Sequence, residues 1–292
     1  MPPPWGRAAA KLDTPHPGPH EAADLQGGRG EGMAGRARDG IAETIRTIFW
    51  ALLIAGVFRT LFFQPFWIPS SSMKDTLLVG DFLFVNKMAY GYSRYSCPWA
   101  LCPIPGRILA SEPERGDVVV FRHPANGEDY IKRLIGLPGD TVQVRDGILH
   151  INGAPVPQEP DGVFTEVKAP QGPQQRMPRC ANDPVGIGGT CEKDRYIETL
   201  PNGLRHAVLN IEDGGPGDDT AVFTVPEGHY FFMGDNRDDS TDSRFPVAAG
   251  GVGMLPAPYL IGRADRIMFS AAGRSLFFFW TWRSDRFFKA VD

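Results

Sequence analysis

An apolar run near the N-terminus constrains this chain more than any other feature. Between Thr47 and Ile68 the only charged residue is Arg59. A helix of this composition approaches the ~20 residues that are needed to cross a bilayer. We therefore predict one transmembrane helix at residues 45–64, ended by Pro65 because proline cannot continue a helix. A buried core helix is the alternative, since the same composition suits a protein interior.

The segment before this helix is rich in proline and glycine and lacks apolar periodicity. Residues 1–44 are therefore predicted to be a disordered tail, because they cannot bury enough surface to fold. Arg36, Arg38 and Arg46 precede the apolar run, whereas only Lys74 follows it within a similar distance. Positive residues favour the cytoplasmic side, which predicts a cytoplasmic tail and an extracytoplasmic body.

The body, residues 65–292, is predicted to be one mainly β domain. The 292-residue chain holds 34 glycines and 27 prolines, which favour many turns and short strands over long helices. Its net charge of -4 is spread over the chain without a basic stripe. This charge distribution argues against a nucleic acid partner.

Runs of β-branched and apolar residues predict the strands of this body. One hairpin is expected between Gly116–Arg122 and Asp129–Gly136, and a second turns at Asp146-Gly147. Further strands are expected at Asp81–Lys87, His206–Ile211, Ala221–Val225, His229–Met233 and Leu260–Phe269. Residues 153–200 are rich in proline, glycine and glutamine and are predicted to be an irregular insertion.

Four cysteines, Cys97, Cys102, Cys180 and Cys191, follow the predicted helix. Disulfides become plausible if that side is extracytoplasmic. Pairing of neighbours is the simplest of the three connectivities, and the sequence leaves all three open. Neither pair has the spacing or the nearby histidines of a zinc site, so no metal is expected.

Three serines, Ser70 to Ser72, form a short polar loop between the apolar helix and the β body. Serines in a turn after Pro69 usually satisfy backbone groups, so the loop alone is weak evidence for a nucleophile. The six histidines show no spacing that supports a Ser-His-Asp triad. No zinc-protease helix, Gly-x-Ser-x-Gly elbow or phosphate-binding loop occurs in the chain.

Lys132 is the candidate base. Alternation in the predicted strand places it on one face with Tyr130 and Leu134. Apolar neighbours remove hydration, and full burial lowers a lysine pKa from ~10.4 by up to about 3–5 units. A neutral amine could then activate a serine without histidine. The alternative is a lysine whose stem packs on the protein while its ammonium stays in water.

The segment Met233–Arg244 is dense in charged, hydroxyl and amide side chains and directly follows an apolar strand. A solvated turn is one interpretation. The other is a hydrogen-bonded support in which Ser240 orients a lysine and Asp242 pairs with Arg244.

Three segments follow the apolar helix in a characteristic order: Pro69–Met73, Asp129–Asp140 and Gly234–Arg244. With Gly116–Phe121 and Leu260–Ala264, they resemble bacterial type I signal peptidase over most of residues 60–270. The resemblance implies a mainly β, signal-peptidase-like β-sheet catalytic domain with one N-terminal transmembrane helix. It also implies a serine endopeptidase that removes signal peptides from exported preproteins after Ala-x-Ala-like sites.

The same resemblance implies roles for individual residues. Ser72 matches the nucleophile and Lys132 its general base, with no metal or other cofactor. The Ser70 hydroxyl and the Ser72 backbone N–H match the oxyanion hole. The supporting residues are Ser240, which hydrogen-bonds the lysine in the family, and the ion pair of Asp242 with Arg244. Ile68, Met73, Leu77, Tyr130 and Ile131 would line the pocket for the residue before the cut, with Phe66 and Leu83 near the pocket for the residue two earlier.

The implied partners are preproteins that carry signal peptides and the lipids of the bacterial cytoplasmic (inner) membrane, with no nucleic acid. Two residues depart from the family pattern, which usually has glycine at Ser71 and proline at Asp75, and residues 247–254 are looser than usual. An aromatic-rich end, residues 277–288, predicts either a core contact or an apolar patch at the membrane surface.

Three other functions are compatible with parts of this pattern. A relative with the same dyad could process a narrower substrate, such as a pilus or conjugation protein. A self-cleaving repressor would need a helix-turn-helix, and residues 1–63 contain none. A non-catalytic membrane-tethered β domain would explain the helix and strands, but not the order of Ser72, Lys132 and Ser240.

Overall fold

One long helix precedes the β body. The structure, a computed structural model, describes residues 30–97, 100, 102–273 and 278–291. Its contacts divide the chain into two compact units, residues 1–55 and residues 56–292. Helix α1 spans Gly30–Leu61. Residues 30–44 are therefore helical and not disordered, which corrects the prediction for them, while residues 1–29 lie outside the described residues.

The early start of α1 has a local cause. Alanine, arginine and glutamate between residues 34 and 46 are good helix formers. A helix that is already formed by the apolar run extends into such residues at little cost, because only nucleation is unfavourable.

The apolar part of α1 fits a membrane span. Gly40–Leu61 is 22 residues long, with a mean hydropathy of 1.7, and none of its most apolar window is buried. Leu52 and Ile54 are 69% and 66% exposed. This exposure favours the predicted transmembrane helix over a buried core helix.

The described residues of the body form sixteen strands. They are β1 Phe63–Trp67, β2 Asp81–Asn86, β3 Tyr92–Ser93, β4 Arg107–Ile108, β5 Val118–Arg122, β6 Asp129–Gly136, β7 Thr141–Arg145, β8 Ile148–Ile151, β9 Ala154–Pro155, β10 Gln158–Val167, β11 Thr190–Thr199, β12 Arg205–Asn210, β13 Phe223–Thr224, β14 His229–Met233, β15 Leu255–Pro256 and β16 Leu260–Ser270.

The largest sheet has seven strands in the order β1-β2-β16-β5-β6-β14-β15. Separate sheets have the orders β13-β7-β8-β9, β10-β11-β12 and β3-β4. The pairs in all of these sheets are antiparallel. The expected mainly β fold class is confirmed, and both predicted hairpins are present as β5-β6 and β7-β8.

The helix ends earlier than predicted, at Leu61. The chain then enters β1, so Pro65 lies inside a strand and not at a helix end. β1 is the edge strand of the large sheet. Proline is tolerated there because an edge strand leaves some N–H groups without a ladder partner.

Residues 153–200 are more regular than predicted. They contain the ten-residue strands β10 and β11, which pair with each other and, through β11, with β12. Few apolar residues mark these strands, and the buried face of β11 carries Cys191 and Lys193. The hydrophobic alternation that predicts a half-buried strand is therefore absent from the sequence.

Both disulfides join neighbouring cysteines, Cys97 to Cys102 and Cys180 to Cys191. This is the simplest of the three connectivities that the sequence left open. The second disulfide closes the segment between β10 and β11 next to the start of β11.

Three apolar clusters fill the space around the large sheet. The first lies around β2, β5 and the loop after β1, and contains Ile68, Met73, Leu77, Leu83, Val85, Val118, Val120, Ile131, Ile261, Ala264 and Ile267. The other two lie around β7, β8 and β14 and around β5, β14 and β16. Ile131 and Leu134 point to opposite faces of β6, and they belong to the first and the third cluster respectively.

Candidate active site

Ser72 and Lys132 lie side by side below the protein surface. Lys132 Nζ is 2.5 Å from Ser72 Oγ. Lys132 is 4% exposed and Ser72 is 6% exposed. Sixty positions separate them in sequence, so the tertiary fold alone creates this pair.

Two elements fix the pair. Lys132 lies in β6, between β5 and β14, where it is opposite Val119 of β5. Ser72 lies in a turn in which the N–H of Leu77 donates to the carbonyl of Met73 at 2.7 Å. Met73 and Leu77 are fully buried in the first apolar cluster. The apolar residues after Ser72 therefore anchor the serine loop on the sheet that carries the lysine.

Burial sets the charge state of Lys132. Desolvation lowers the pKa of its amine to about 8, although the carboxylates of Asp242, Asp235 and Asp239 oppose this shift. A substantial fraction of the amine is therefore neutral near neutral to slightly alkaline pH. A neutral amine can accept the proton of an adjacent hydroxyl.

The loop after β14 supports the lysine from a third side. Met233 pairs with Arg133, so the chain leaves β14 beside Lys132. The N–H of Asn236 then donates to the carbonyl of Ser72 at 3.1 Å, and Asn236 Nδ2 donates to the carbonyl of Ser71, also at 3.1 Å. These bonds join the loop directly to the backbone of the serine turn.

Asp242 and Arg244 form a buried two-point ion pair. Arg244 donates from Nε to Asp242 Oδ1 at 2.9 Å and from Nη2 to Oδ2 at 3.0 Å. Burial opposes ionisation of Asp242, but the charge and hydrogen bonds of Arg244 prevail and lower the pKa of the carboxyl. The expected pairing of these two residues is present, and it leaves Asp242 anionic close to Lys132.

Ser240 differs from the expectation in its hydrogen bond. Within the described residues its hydroxyl donates to Asp242 Oδ2 at 2.7 Å, and no hydrogen bond joins it to Lys132. A buried carboxylate is a stronger acceptor than a neutral amine, which accounts for this preference. Ser240 is thereby linked to the ion pair, and the lysine amine is left next to Ser72.

Sequence reasoning missed a second buried ion pair beside the first. Arg133, the neighbour of Lys132 in β6, donates to both carboxylate oxygens of Asp235 at 2.9 and 2.8 Å. Thr76 Oγ1 donates to the same carboxylate at 2.6 Å. The alternation of Lys132 and Arg133 along the strand was visible in the sequence. The partner of Arg133 was not, because Asp235 is about a hundred residues away.

An open cleft of about 290 Å³ leads to the pair. Ser70, Ser72 and Lys132 line it. Ser70 is exposed, and no hydrogen bond in the described part of the chain uses the Ser72 N–H. An exposed hydroxyl and an N–H without a hydrogen bond, both close to the Ser72 hydroxyl, are donors of the kind that an oxyanion hole requires.

The predicted pocket residues divide into two groups. Phe66, Tyr130 and Ile131 line the cleft. The remaining four are fully buried in the first apolar cluster: Ile68, Met73, Leu77 and Leu83. The second group forms the floor on which the cleft residues pack, since Ile131 belongs to both sets and Phe66 packs against the cluster.

The acidic side chains near the pair and buried His206 are the residues relevant to a metal-binding or triad arrangement. Among the described residues, no group of three or more His, Cys, Asp or Glu side chains could hold a metal ion. His206 lies 4.0 Å from Asp235 and 3.6 Å from Glu198, and burial lowers its pKa to about 4. It makes no hydrogen bond to a serine in the part of the chain that the structure describes.

A mainly β body, an apolar N-terminal helix and a buried serine next to a lysine are typical of membrane-anchored serine peptidases. A family model described as signal peptidase, peptidase S26, matches residues 41–269. The chain therefore belongs to the signal peptidase family, peptidase S26, and is a serine endopeptidase.

Two sequence relatives agree with this family. Signal peptidase I of Rickettsia typhi is 37% identical over 239 residues, which cover 79% of this chain and 81% of that protein. Signal peptidase I of Rickettsia canadensis is 38% identical over 241 residues, covering 78% and 80%. A crystal structure of a signal peptidase I from Enterococcus faecalis is 26% identical, with a TM-score of 0.27, and covers 52% of this chain and 97% of that chain.

Proposed function

We propose that this protein removes N-terminal signal peptides from exported preproteins, cutting after Ala-x-Ala-like sites with Ser72 as nucleophile and Lys132 as general base. The observation that carries the proposal is the 2.5 Å separation of Lys132 Nζ and Ser72 Oγ, both from buried residues. Membership of the signal peptidase family supports the substrate class.

The chemistry begins with neutral Lys132. Its amine takes the Ser72 hydroxyl proton as the oxygen attacks the scissile carbonyl. The resulting ammonium gives that proton to the leaving amine, and an ester of Ser72 remains. Lys132 then takes a proton from water as the water oxygen attacks the ester. It returns this proton to Ser72 Oγ, which leaves as the hydroxyl, and the cleaved signal peptide departs with a free carboxyl group.

The negative oxygen of the tetrahedral intermediate is stabilised by the Ser70 hydroxyl and the Ser72 N–H. Each donor would contribute about 3–4 kcal/mol at the transition state if it is typical of such sites. The ion pair of Asp242 and Arg244, with Ser240 attached, holds the loop beside the lysine and tunes its charge.

Small pockets account for the selection of alanine. Phe66, Tyr130 and Ile131 line the cleft, and Ile68, Met73, Leu77 and Leu83 are packed in the apolar cluster beneath it, where they would limit the depth of a side-chain pocket. Bulky residues would be rejected by steric exclusion, which needs no charge.

The proposed function also requires a membrane orientation. We infer that α1 crosses the bacterial cytoplasmic membrane with the N-terminus inside and the catalytic body outside, since basic residues are more frequent before the span. Exposed aromatic side chains at the C-terminal end would contact lipid on the outer face: Phe278, Phe279, Trp280, Phe287 and Phe288. The cleft would then face signal peptides at the bilayer surface.

The test is cleavage of a preprotein with an Ala-x-Ala site by the full-length wild type, Ser72→Ala and Lys132→Met. We expect each variant to lose roughly 10³-fold or more in rate, because the two residues act as a unit. Ser111→Ala and Lys289→Met are matched controls, since both residues are exposed and outside the cleft.

Other outcomes point to other functions. Full activity of a folded Lys132→Met variant would mean that another group is the base. No cleavage by folded wild type would favour a membrane-tethered binding domain. A panel of preproteins distinguishes a general signal peptidase from a narrower maturation peptidase, since the latter would cut a single class of substrate.

A further inference from the structure

One wall of the cleft comes from the segment between β10 and β11, which sequence reasoning treated as irregular. Gln171, Gln174 and Arg176 line the cleft together with Ser72 and Lys132. Gln171 and Arg176 exchange backbone hydrogen bonds of 2.9 and 3.0 Å, which closes a tight turn over residues 172–175. The turn is therefore a defined structural element next to the nucleophile.

Two contacts attach this turn to the serine loop. The first is a close backbone approach, since a Cβ at Gly172 would lie 2.7 Å from the carbonyl oxygen of Pro69. The second is polar: Lys74 Nζ donates to Gln171 Oε1 at 2.9 Å and to Glu166 Oε2 at 2.6 Å.

Lys74 is only two residues from Ser72 and is 1% exposed. Lys193 also donates to Glu166, and Gln171 Nε2 donates to the same carboxylate at 2.7 Å. A buried lysine that lost such a partner would be left with an uncompensated charge, so the cluster resists opening. The wall is thereby fixed in position relative to the nucleophile.

Arg176 is a charged residue of this wall. It is exposed, and its guanidinium makes no hydrogen bond or ion pair within the described residues. Of the acidic residues in the cleft, Asp129 pairs with Arg122 at 3.0 Å and Asp239 accepts a hydrogen bond from Ser71. Glu128 is bonded to Asn126 at 3.2 Å. Asp129 is therefore paired with a cation, Glu128 and Asp239 are hydrogen-bonded to neutral donors, and Arg176 has no ion-pair partner among the described residues.

We propose that Arg176 is a specificity-determining residue, which favours substrates that carry an acidic side chain near the scissile bond. The wall holds the base of this side chain at a fixed place in the cleft, so its charge acts on one or two substrate positions. An acidic side chain there gains a partner, and a basic one meets a like charge. This inference rests on the proposed function of the cleft.

The experiment uses the full-length enzyme and peptides with a constant Ala-x-Ala core. Asp, Asn or Lys is placed singly at each position from the fifth residue before the cut to the third after it, with the two alanines left intact. The readout is the ratio of kcat/KM for Asp to that for Lys at each position. A ratio within one variant is insensitive to the fraction of active enzyme.

We expect the wild type to prefer Asp over Lys by about threefold at one or two positions, the size of an exposed ion pair. Arg176→Gln should abolish this preference, and Arg176→Glu should reverse it at the same positions. Added salt should weaken it in the wild type, because exposed charges are screened.

Arg179→Glu is the matched control. Arg179 is an exposed arginine three positions further on, it pairs with Glu212 at 2.6 Å, and it lies outside the cleft lining. Its ratios should equal those of the wild type. The inference is overturned if Arg176→Glu keeps the wild-type ratios, or if Arg179→Glu changes them equally.

Ser72→Ala separates this inference from the proposed function on which it rests. Cleavage by folded Ser72→Ala, or no cleavage by folded wild type, would overturn the proposed function and the role of Arg176 with it. Normal cleavage by the wild type with unchanged ratios in Arg176→Glu would overturn the role of Arg176 alone.

Discussion

Gly234 approaches Ser72 so closely that a Cβ at this glycine would lie 2.5 Å from the Ser72 carbonyl oxygen. The same Cβ would lie 2.3 Å from Ser240 Oγ. Real Cβ atoms do not reach such distances, so the loop after β14 can meet the serine turn only with glycine at this position. The contact links the turn that contains Ser72 to the loop that contains Ser240 and Asp242.

Gly234→Ala should therefore lower the cleavage rate while the protein stays folded. The added methyl group must displace either Ser240 or the backbone of Ser72, and a displacement of ~1 Å at a catalytic group costs on the order of 10²-fold in rate. The measurement is kcat/KM on an Ala-x-Ala peptide, with a thermal melt to verify folding.

Gly186→Ala is the matched control, because a Cβ at Gly186 would meet nothing within 4 Å. It should keep wild-type activity. Equal activity of Gly234→Ala and Gly186→Ala would show that the loop adapts to the methyl group without moving the pair.

The activity should rise with pH through the pKa of Lys132. The base must be neutral to act, and the pKa of its amine is about 8, so kcat/KM should fall as pH drops below that value. The measurement is the pH dependence of kcat/KM from about pH 6 to pH 10, a range that brackets the cited pKa. A profile that stays flat across pH 8 would contradict Lys132 as the base.

Asp242→Asn should move this profile to lower pH. The Asp242 carboxylate raises the pKa of Lys132, whereas Arg244 lowers it. Removal of the carboxylate leaves burial and Arg244 to favour the neutral amine. Asp194→Asn is the matched control, because Asp194 is an exposed residue of β11. It should leave the pH profile unchanged. A shift of the Asp242→Asn profile to higher pH would contradict the assigned electrostatics.

Asp235→Asn should destabilise the body strongly. The change removes the carboxylate charge that Arg133 contacts, and breaking such a buried ion pair typically costs about 3–5 kcal/mol in the free energy of unfolding. The measurement is urea unfolding of the full chain in detergent. Glu159→Gln breaks an exposed pair with Arg205 and should cost less than about 1 kcal/mol. Equal losses in the two variants would contradict the importance of the buried pair.

Trp280 should contact lipid in the intact protein. It is 69% exposed, next to Phe279 at 70%, and aromatic side chains favour the membrane interface. The difference in tryptophan emission between the wild type and Trp280→Phe is the emission of Trp280. Brominated phospholipid in reconstituted vesicles should quench this emission. Quenching of that emission by aqueous acrylamide, with none by brominated lipid, would contradict lipid contact.

Local sequence signals determined the elements that depend on neighbouring residues. The apolar run predicted a helix of membrane-spanning length, and the Asp146-Gly147 turn and the β-branched runs predicted both hairpins. The motif order that resembles signal peptidase was equally visible, because short segments around Ser72, Lys132 and Ser240 keep their spacing along the chain. Patterning failed for β10 and β11, whose buried face contains charged residues that bind one another.

Only the tertiary structure decided how these segments meet. Three contacts in the site join residues that are far apart in sequence: Ser72 with Lys132, Arg133 with Asp235, and Lys74 with Gln171. The sequence determined the residue types, the membrane-length helix and the local hairpins, since periodicity and turn chemistry act over a few residues. Burial, the pKa of Lys132 and the walls of the cleft depend on long-range packing, which no local pattern encodes.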